Sequence, residues 1–304
     1  MLRSCDMEAR TVKETGADRV FTLANYTILT LFALSVLYPL IVVVSYSFSS
    51  PEAVGLGRIW LWPVDPSIEG YKMVFEYKKV WLGFANSVYY TVAGTAVNIV
   101  FTLLAGYPLS RSDFYGKGVF MALFVFTMMF SGGIIPTYMV VKALGMINSP
   151  LAMIIPGALT VWNVIITRTY FKTTIPQEML ESAQMDGCSD FQFLSRMVIP
   201  LSAPIIAVNA LFYAVAHWNT YFTALIYFSR PSLFPLQLVL REVLLLGQIN
   251  VDTLENVKDI VKYQGLSDLL KYTLIVVSTL PLMILYPFVQ KHFVKGMMIG
   301  SLKG

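Results

Sequence analysis

The sequence predicts an all-α, polytopic membrane protein with about six transmembrane helices, and three observations carry that prediction. Of its 304 residues, 56% are hydrophobic and only 13% are charged, about half the charge of an ordinary soluble domain. Mean hydropathy is +0.65. Apolar runs of the roughly 20 residues needed to cross a bilayer recur along nearly the whole chain, so residues 1–304 read as one membrane domain.

Taken in order, the predicted spans are residues 20–48, 84–109, 118–141, 151–171, 203–228 and 269–288. The first follows a mixed-charge segment, residues 1–19. It is too long for the apolar core of a cleaved leader, so it is expected to be retained. Pro39, Pro136, Pro156, Pro281 and Pro287 interrupt several spans. Membrane helices tolerate such breaks where neighbours or water re-satisfy the freed carbonyls, which predicts kinked helices in a bundle. Small residues such as Gly94, Ala96, Gly132, Gly133 and Gly157 allow close helix approach.

An even number of spans puts both termini on one side. Counting Lys and Arg barely separates the two sides, but the flanks Arg3, Arg10, Lys13, Arg19 and Lys291, Lys295, Lys303 favour cytoplasmic termini. Outside, residues 58–80 carry Trp60, Trp62, Tyr71, Phe75 and Tyr77 and read as an aromatic interfacial segment. Residues 229–268 read as a long polar outer loop. Inside lie the segment 172–200 and a tail, 289–304. Cys5 and Cys188 are far apart in polar segments and suggest no disulfide framework. The formal charge of +4 is scattered, with no basic stripe for nucleic acid.

The inner segment is the most informative. Thr174 to Gln177 fits a capping box, with Pro176 in the first turn. Glu178 and Glu181 then sit near the positive end of a helix dipole. Ser182 and Ala183 are small enough for another surface to come close. Asp186-Gly187 can end the helix, glycine supplying a left-handed residue. Ser189 to Gln192 repeats the capping pattern and starts a second helix. Two short helices joined at a glycine bend are expected, either as a plain surface connector or as a docking element. Glu178 and Glu181 share a face, but His217 and His292 are far off in sequence, so neither a metal site nor an acid/base pair is expected.

In the fifth span, Asn209, Tyr213 and His217 recur at i, i+4 and i+8 and share a face, with Trp218, Asn219 and Tyr221 just beyond. Polar residues in a span point to a functional site, here a substrate pathway of amides, hydroxyls and aromatic faces. The alternative is helix–helix hydrogen bonding.

The series Glu181, Ser182, Ala183, Asp186, Gly187, Cys188, then Phe193, Pro200, Leu201 and Pro204, resembles the EAA-type signature of permease subunits in binding-protein-dependent ABC importers. Ser182 and Cys188 stand where Ala is commoner, and Met197 where Ile is; all three stay small or apolar. The outer Leu61-Trp62-Pro63, Pro66 and Gly70-Tyr71, and the ending Phe293 to Gly304, resemble the carbohydrate-uptake branch on the side of the maltose-type G subunit. The similarity is greatest to permeases for complex sugars, such as the second membrane subunit of an alginate importer.

The resemblance implies that Glu178, Glu181, Ser182, Ala183, Asp186 and Gly187 form a coupling helix seated in a separate ATPase subunit. It implies that the tail, with Gly296, Gly300 and Ser301, touches the ATPases, and that Gly247, Gln248 and Asn250 meet an external solute-binding protein. It also implies a second, related but different permease chain, two ATPases and a sugar cargo. The chain carries no phosphate-binding Gly-x-x-x-x-Gly-Lys-[Ser/Thr] motif; its Gly116-Lys117 pair lacks the following hydroxyl. ATP and Mg are therefore expected on the partner, and this chain is expected to be no enzyme. The rivals are an ion-coupled secondary transporter, which calls for intramembrane carboxylates that the spans lack, and a membrane-embedded enzyme, which calls for a catalytic constellation.

Overall fold

The structure, a computed structural model, describes residues 15–246 and 257–301. Among these residues every regular element is helical. The first helix, α1 (Gly16–Ser47), starts at a capping box. The Thr15 hydroxyl accepts from the Asp18 N–H at 3.3 Å, and the Asp18 carboxylate accepts from the Thr15 N–H at 2.9 Å. Two short helices follow, α2 (Pro51–Gly55) and α3 (Glu69–Glu76), then the 33-residue α4 (Lys78–Ser110). At about 1.5 Å per residue α4 is roughly 50 Å long, well beyond the ~30 Å hydrocarbon core.

The third predicted span is not one helix. It is α5 (Lys117–Met129) and α6 (Ile134–Ala143), with a 113° angle between them. Ser131, Gly132 and Gly133 break it, Gly133 with φ of +84°, and Pro136 cannot donate into the next turn. The fourth predicted span is also divided, into α7 (Leu151–Ile154) and α8 (Val161–Thr174), around Pro156 and Gly157.

After α8 come α9 (Gln177–Met185) and α10 (Asp190–Phe193). A π turn over Leu194–Val198 leads to α11 (Ile199–Leu201), then to α12 (Ala203–Trp218). The 190–201 helical run meets α12 at 81°. The fifth predicted span therefore ends at Trp218, and α13 (Phe222–Tyr227) is separate.

The expected outer loop is partly helical. Beyond a 3-10 turn at Pro231–Leu233 lies α14 (Leu236–Leu246). Its Leu236, Val239 and Val243 are buried, following the i, i+3, i+7 pattern of an amphipathic helix. The last helix, α15 (Val257–Ser301), spans 45 residues and contains the sixth predicted span. Among the described residues three helices, α1, α4 and α15, are each long and apolar enough to cross a membrane, or up to five units if each bent pair counts as one.

Helix α4 is the hub, packing against α12 and α8, while α15 packs against α1, α2, α3 and α12. Apolar clusters close both ends. One joins Leu103 and Tyr107 of α4 to Phe171, Ala183, Phe193, Val198 and Ile205. At the other end Trp218 packs with Val74, Val80, Leu236 and Leu274. The aromatic segment lies at this second end, with Trp60 and Trp62 exposed and Tyr71 bonded to the Ser47 hydroxyl at 2.9 Å.

Candidate functional site

The bend between α9 and α10 is built by local chemistry. Asp186 caps α9, and Gly187 takes φ of +77°, a conformation that L side chains rarely adopt. The Cys188 N–H donates to the Ala183 carbonyl at 2.9 Å, and the Gly187 N–H to that of Gln184 at 3.0 Å. These two bonds make a complete Schellman closure. Cys188, a free thiol, packs half-buried beside the same apolar cluster. Helix α10 then opens on the expected capping box. Ser189 Oγ accepts from the Gln192 N–H at 3.3 Å, and Gln192 Oε1 accepts from the Ser189 N–H at 3.1 Å.

The first expected box is absent. Thr174 closes α8, and Pro176 is the residue before α9, with no side-chain cap. Gln177 turns elsewhere. Its Nε2 donates to Glu181 Oε1 at 3.0 Å, and its Oε1 accepts from the Ser112 hydroxyl at 2.7 Å.

Of the six residues expected to face a partner, Glu178, Glu181, Ser182, Asp186 and Gly187 are exposed. Ala183 is 5% exposed and points into the chain's own core. It shares an apolar cluster with Leu103 and Tyr107 of α4 and Phe171 of α8, so it seats the helix instead of meeting a partner. The outward surface is continued by Met185, 89% exposed. A bare thioether on a membrane protein's polar end suits contact with another protein.

The turn between α4 and α5 holds the elbow formed by α9, the Gly187 bend and α10, and the sequence reading missed it. Arg111 Nε donates to Asp113 Oδ1 at 2.8 Å, and Nη2 to Oδ2 at 2.5 Å. Nη1 reaches the Asp190 carboxylate on α10 and the Tyr107 hydroxyl at 3.3 Å. These bonds, led by the one to Asp113, hold the Arg111 pKa above its usual range. In return the Arg111 guanidinium pulls the Asp113 carboxyl below the ordinary carboxylate range. Lys117 Nζ donates to the Arg111 and Ser112 carbonyls at 3.1 and 2.9 Å, which fixes the turn. A cavity of about 600 Å³ opens between this turn, the end of α8 and α9, lined by Lys117, Arg168 and Lys172 among others.

The polar stripe of α12 is engaged within the chain. Asn209 Nδ2 donates to Thr167 Oγ1 at 2.7 Å. The Tyr213 hydroxyl pairs with that of Thr102 at 2.7 Å. His217 Nε2 lies 2.7 Å from Asn98 Oδ1. Asn98 Nδ2 donates to the Gly157 carbonyl at 2.5 Å. Because that carbonyl only accepts, Asn98 turns its own oxygen to His217, so Nε2 of His217 carries the hydrogen. Trp218 Nε1 donates to the Ser278 carbonyl at 2.9 Å, and Asn219 Nδ2 to that of Val215 at 3.0 Å. The expected pathway residues Asn209, Tyr213, His217 and Trp218 are thus the rungs tying α12 to α4, α8 and α15; Asn219 is exposed.

Gly296, Gly300 and Ser301 lie on the last turns of α15. Gly247, Gln248 and Asn250 lie outside the described residues, as does Cys5. Among the described residues no three His, Cys, Asp or Glu side chains come together as a metal site would require.

A family profile described as "Binding-protein-dependent transport system inner membrane component" matches residues 12–299. The chain is 39% identical over 300 residues to Protein LplC of Bacillus subtilis, covering 98% of this chain and 99% of that one. It is 40% identical over 287 residues to the "Polygalacturonan/rhamnogalacturonan transport system permease protein YtcP" of the same organism, covering 94% and 99%. It also resembles a chain of a solved bacterial ABC transporter "involved in the import of the acidic polysaccharide alginate". That match has a TM-score of 0.82 and 34% identity, over 93% of this chain and 100% of that one.

Proposed function

Because the chain belongs to the family of binding-protein-dependent transport system inner membrane components, we propose that it is the permease subunit of an ATP-driven importer for an oligosaccharide or other complex sugar. Relatives named for polygalacturonan and alginate make acidic oligosaccharides the first cargo to test. The family match gives the ion-coupled rival no support.

The observation that carries the mechanism is the elbow, a backbone-locked bend whose acidic and small side chains are exposed while Ala183 and Phe193 anchor it in the core. An exposed face on a rigid mount transmits displacement instead of absorbing it. In this reading the elbow and the end of α15 face the cytoplasm, as do both termini. Two ATPase subunits grip the elbows of this chain and of a related second permease, and an external binding protein delivers the sugar at the α14 end. The ATPases supply ATP and Mg chemistry. This chain's residues receive the motion and alter the pathway between the two permeases, which drives transport only if cargo binds the two membrane states differently.

The test uses the complex co-expressed with its companions. Glu181→Lys reverses charge on the exposed face, and Gly187→Pro cannot adopt the φ of the bend. Each variant is expected to stay in the membrane, yet to lose ATPase co-purification or sugar uptake. Normal assembly together with normal uptake in either variant overturns the coupling role.

A further inference from the structure

We propose that the turn joining α4 and α5 is a second coupling contact, through which Arg111 and Ser112 deliver movement of the elbow to α4 as well as to α12. The inference rests on the elbow being the ATPase-facing element. It concerns where the motion goes next.

Two covalent routes leave the elbow: α9 runs back through Ile175 and Pro176 into α8, and α10 runs on through the π turn and α11 into α12. Helix α4 lies on neither route and meets α8 through packing and the Arg168 Nε bond to the Leu109 carbonyl at 2.9 Å. Were α12 to move without α4, the Asn98–His217 and Thr102–Tyr213 bonds between them would be sheared. The structure supplies a parallel connection. Ser112 bonds Gln177 on the first arm of the elbow, and Arg111 bonds Asp190 on the second. Both residues belong to one short turn, which Lys117 fixes by two further bonds.

The apolar cluster of Tyr107, Ala183 and Phe193 also joins the elbow to α4. Such contact is non-directional and resists separation more than sliding. Hydrogen bonds with set geometry fix the register that packing leaves free. The cavity of about 600 Å³ beside the turn is lined by both Ser112 and Gln177, so their bond runs along a part of the interface that is not closely packed. Held by both arms, the elbow moves α4 and α12 as one block with the ladder between them intact.

The test uses the full reconstituted complex and has two arms. In the first, Arg111→Ala and Asp190→Asn are compared with wild type for ATPase co-purification, ATP hydrolysis and sugar taken up per ATP. The expected result is normal co-purification and hydrolysis with uptake per ATP reduced at least about fivefold, the low end of ordinary coupling effects. Unchanged uptake per ATP in both variants overturns the proposal.

In the second arm, Ser112→Cys and Gln177→Cys are combined in a Cys5→Ser, Cys188→Ala background and joined by a short thiol-reactive crosslinker. If turn and elbow move together, joining them leaves uptake at or above that of the unjoined double variant. Loss of uptake on joining, with ATP hydrolysis continuing, means that they move apart and overturns the proposal. This arm decides by itself should the first pair of variants assemble poorly. Failure of the wild-type complex to bind ATPases at the elbow is a separate outcome, and it removes the underlying reading of function.

Discussion

Residue by residue, the molecule relies on small side chains set opposite polar ones. Gly94 lies directly under the His217 ring, and a Cβ at that position would fall well inside van der Waals contact with Nε2. Gly94→Ala is expected to cost about 1–3 kcal/mol through overpacking. In purified protein that lowers Tm by roughly 2–4 °C per kcal/mol. An unchanged Tm, or no recovery when His217→Ala is added, rejects this account.

The ion pairs of the turn make a second prediction. Arg111 holds Asp113 ionised, so that pair's contribution is fully present above the unfolded carboxylate value of about 3.9. It is lost only as pH falls through the lower folded value. Between pH 6 and 8 the pH profiles of uptake for wild type and Arg111→Ala should therefore run parallel; a difference in slope there argues against a charge-paired turn. At this scale the shared face of Asn209, Tyr213 and His217 was legible from spacing alone. Their partners were not, because Thr102 and Asn98 lie 111 and 119 residues away in sequence. A polar stripe looks the same whether it greets a sugar or a neighbouring helix.

For the helices and their joints, the sequence was most readable where local chemistry decides the outcome. The Gly187 bend and the Ser189 capping box need only neighbours within six residues, and both formed. Ser189→Ala should cost about 1 kcal/mol. Faster amide exchange confined to residues 189–193 would register it; unchanged exchange would mean the cap contributes nothing. Thr174 misled because α8 runs on through it, leaving Pro176 outside α9. The division of residues 118–141 into α5 and α6 escaped a hydropathy window, which sums apolarity and is blind to direction. Its markers, two adjacent glycines and Pro136, were visible and were read as a kink. Helix α14 was hidden by the Pro and Gly on either side, although its i, i+3, i+7 apolar pattern was present.

Across the whole molecule, fold class and family were legible, but the exposed faces needed coordinates. Nearly every side chain of α1 before Ser45 is exposed, and α5 buries none. In a bilayer, apolar side chains can face lipid, but the irregular backbone at residues 130–133 needs protein or water beside it. In the proposed assembly a companion permease would meet that requirement by covering the α5–α6 break. Co-purification with a second permease is therefore expected to raise the Tm of this chain relative to the chain alone, and equal values count against it.

Helix α15 carries a separate implication. Its 45 residues amount to roughly 68 Å, and among the described residues the stretch fit to cross a membrane is Gln264–Ile284. That leaves seven residues before it and seventeen after it, with Pro281 and Pro287 inside the helix. In the proposed assembly those seventeen residues would carry the helix toward the ATPase side past two turns that lack a donor N–H, so the prolines would set the direction from which the tail arrives.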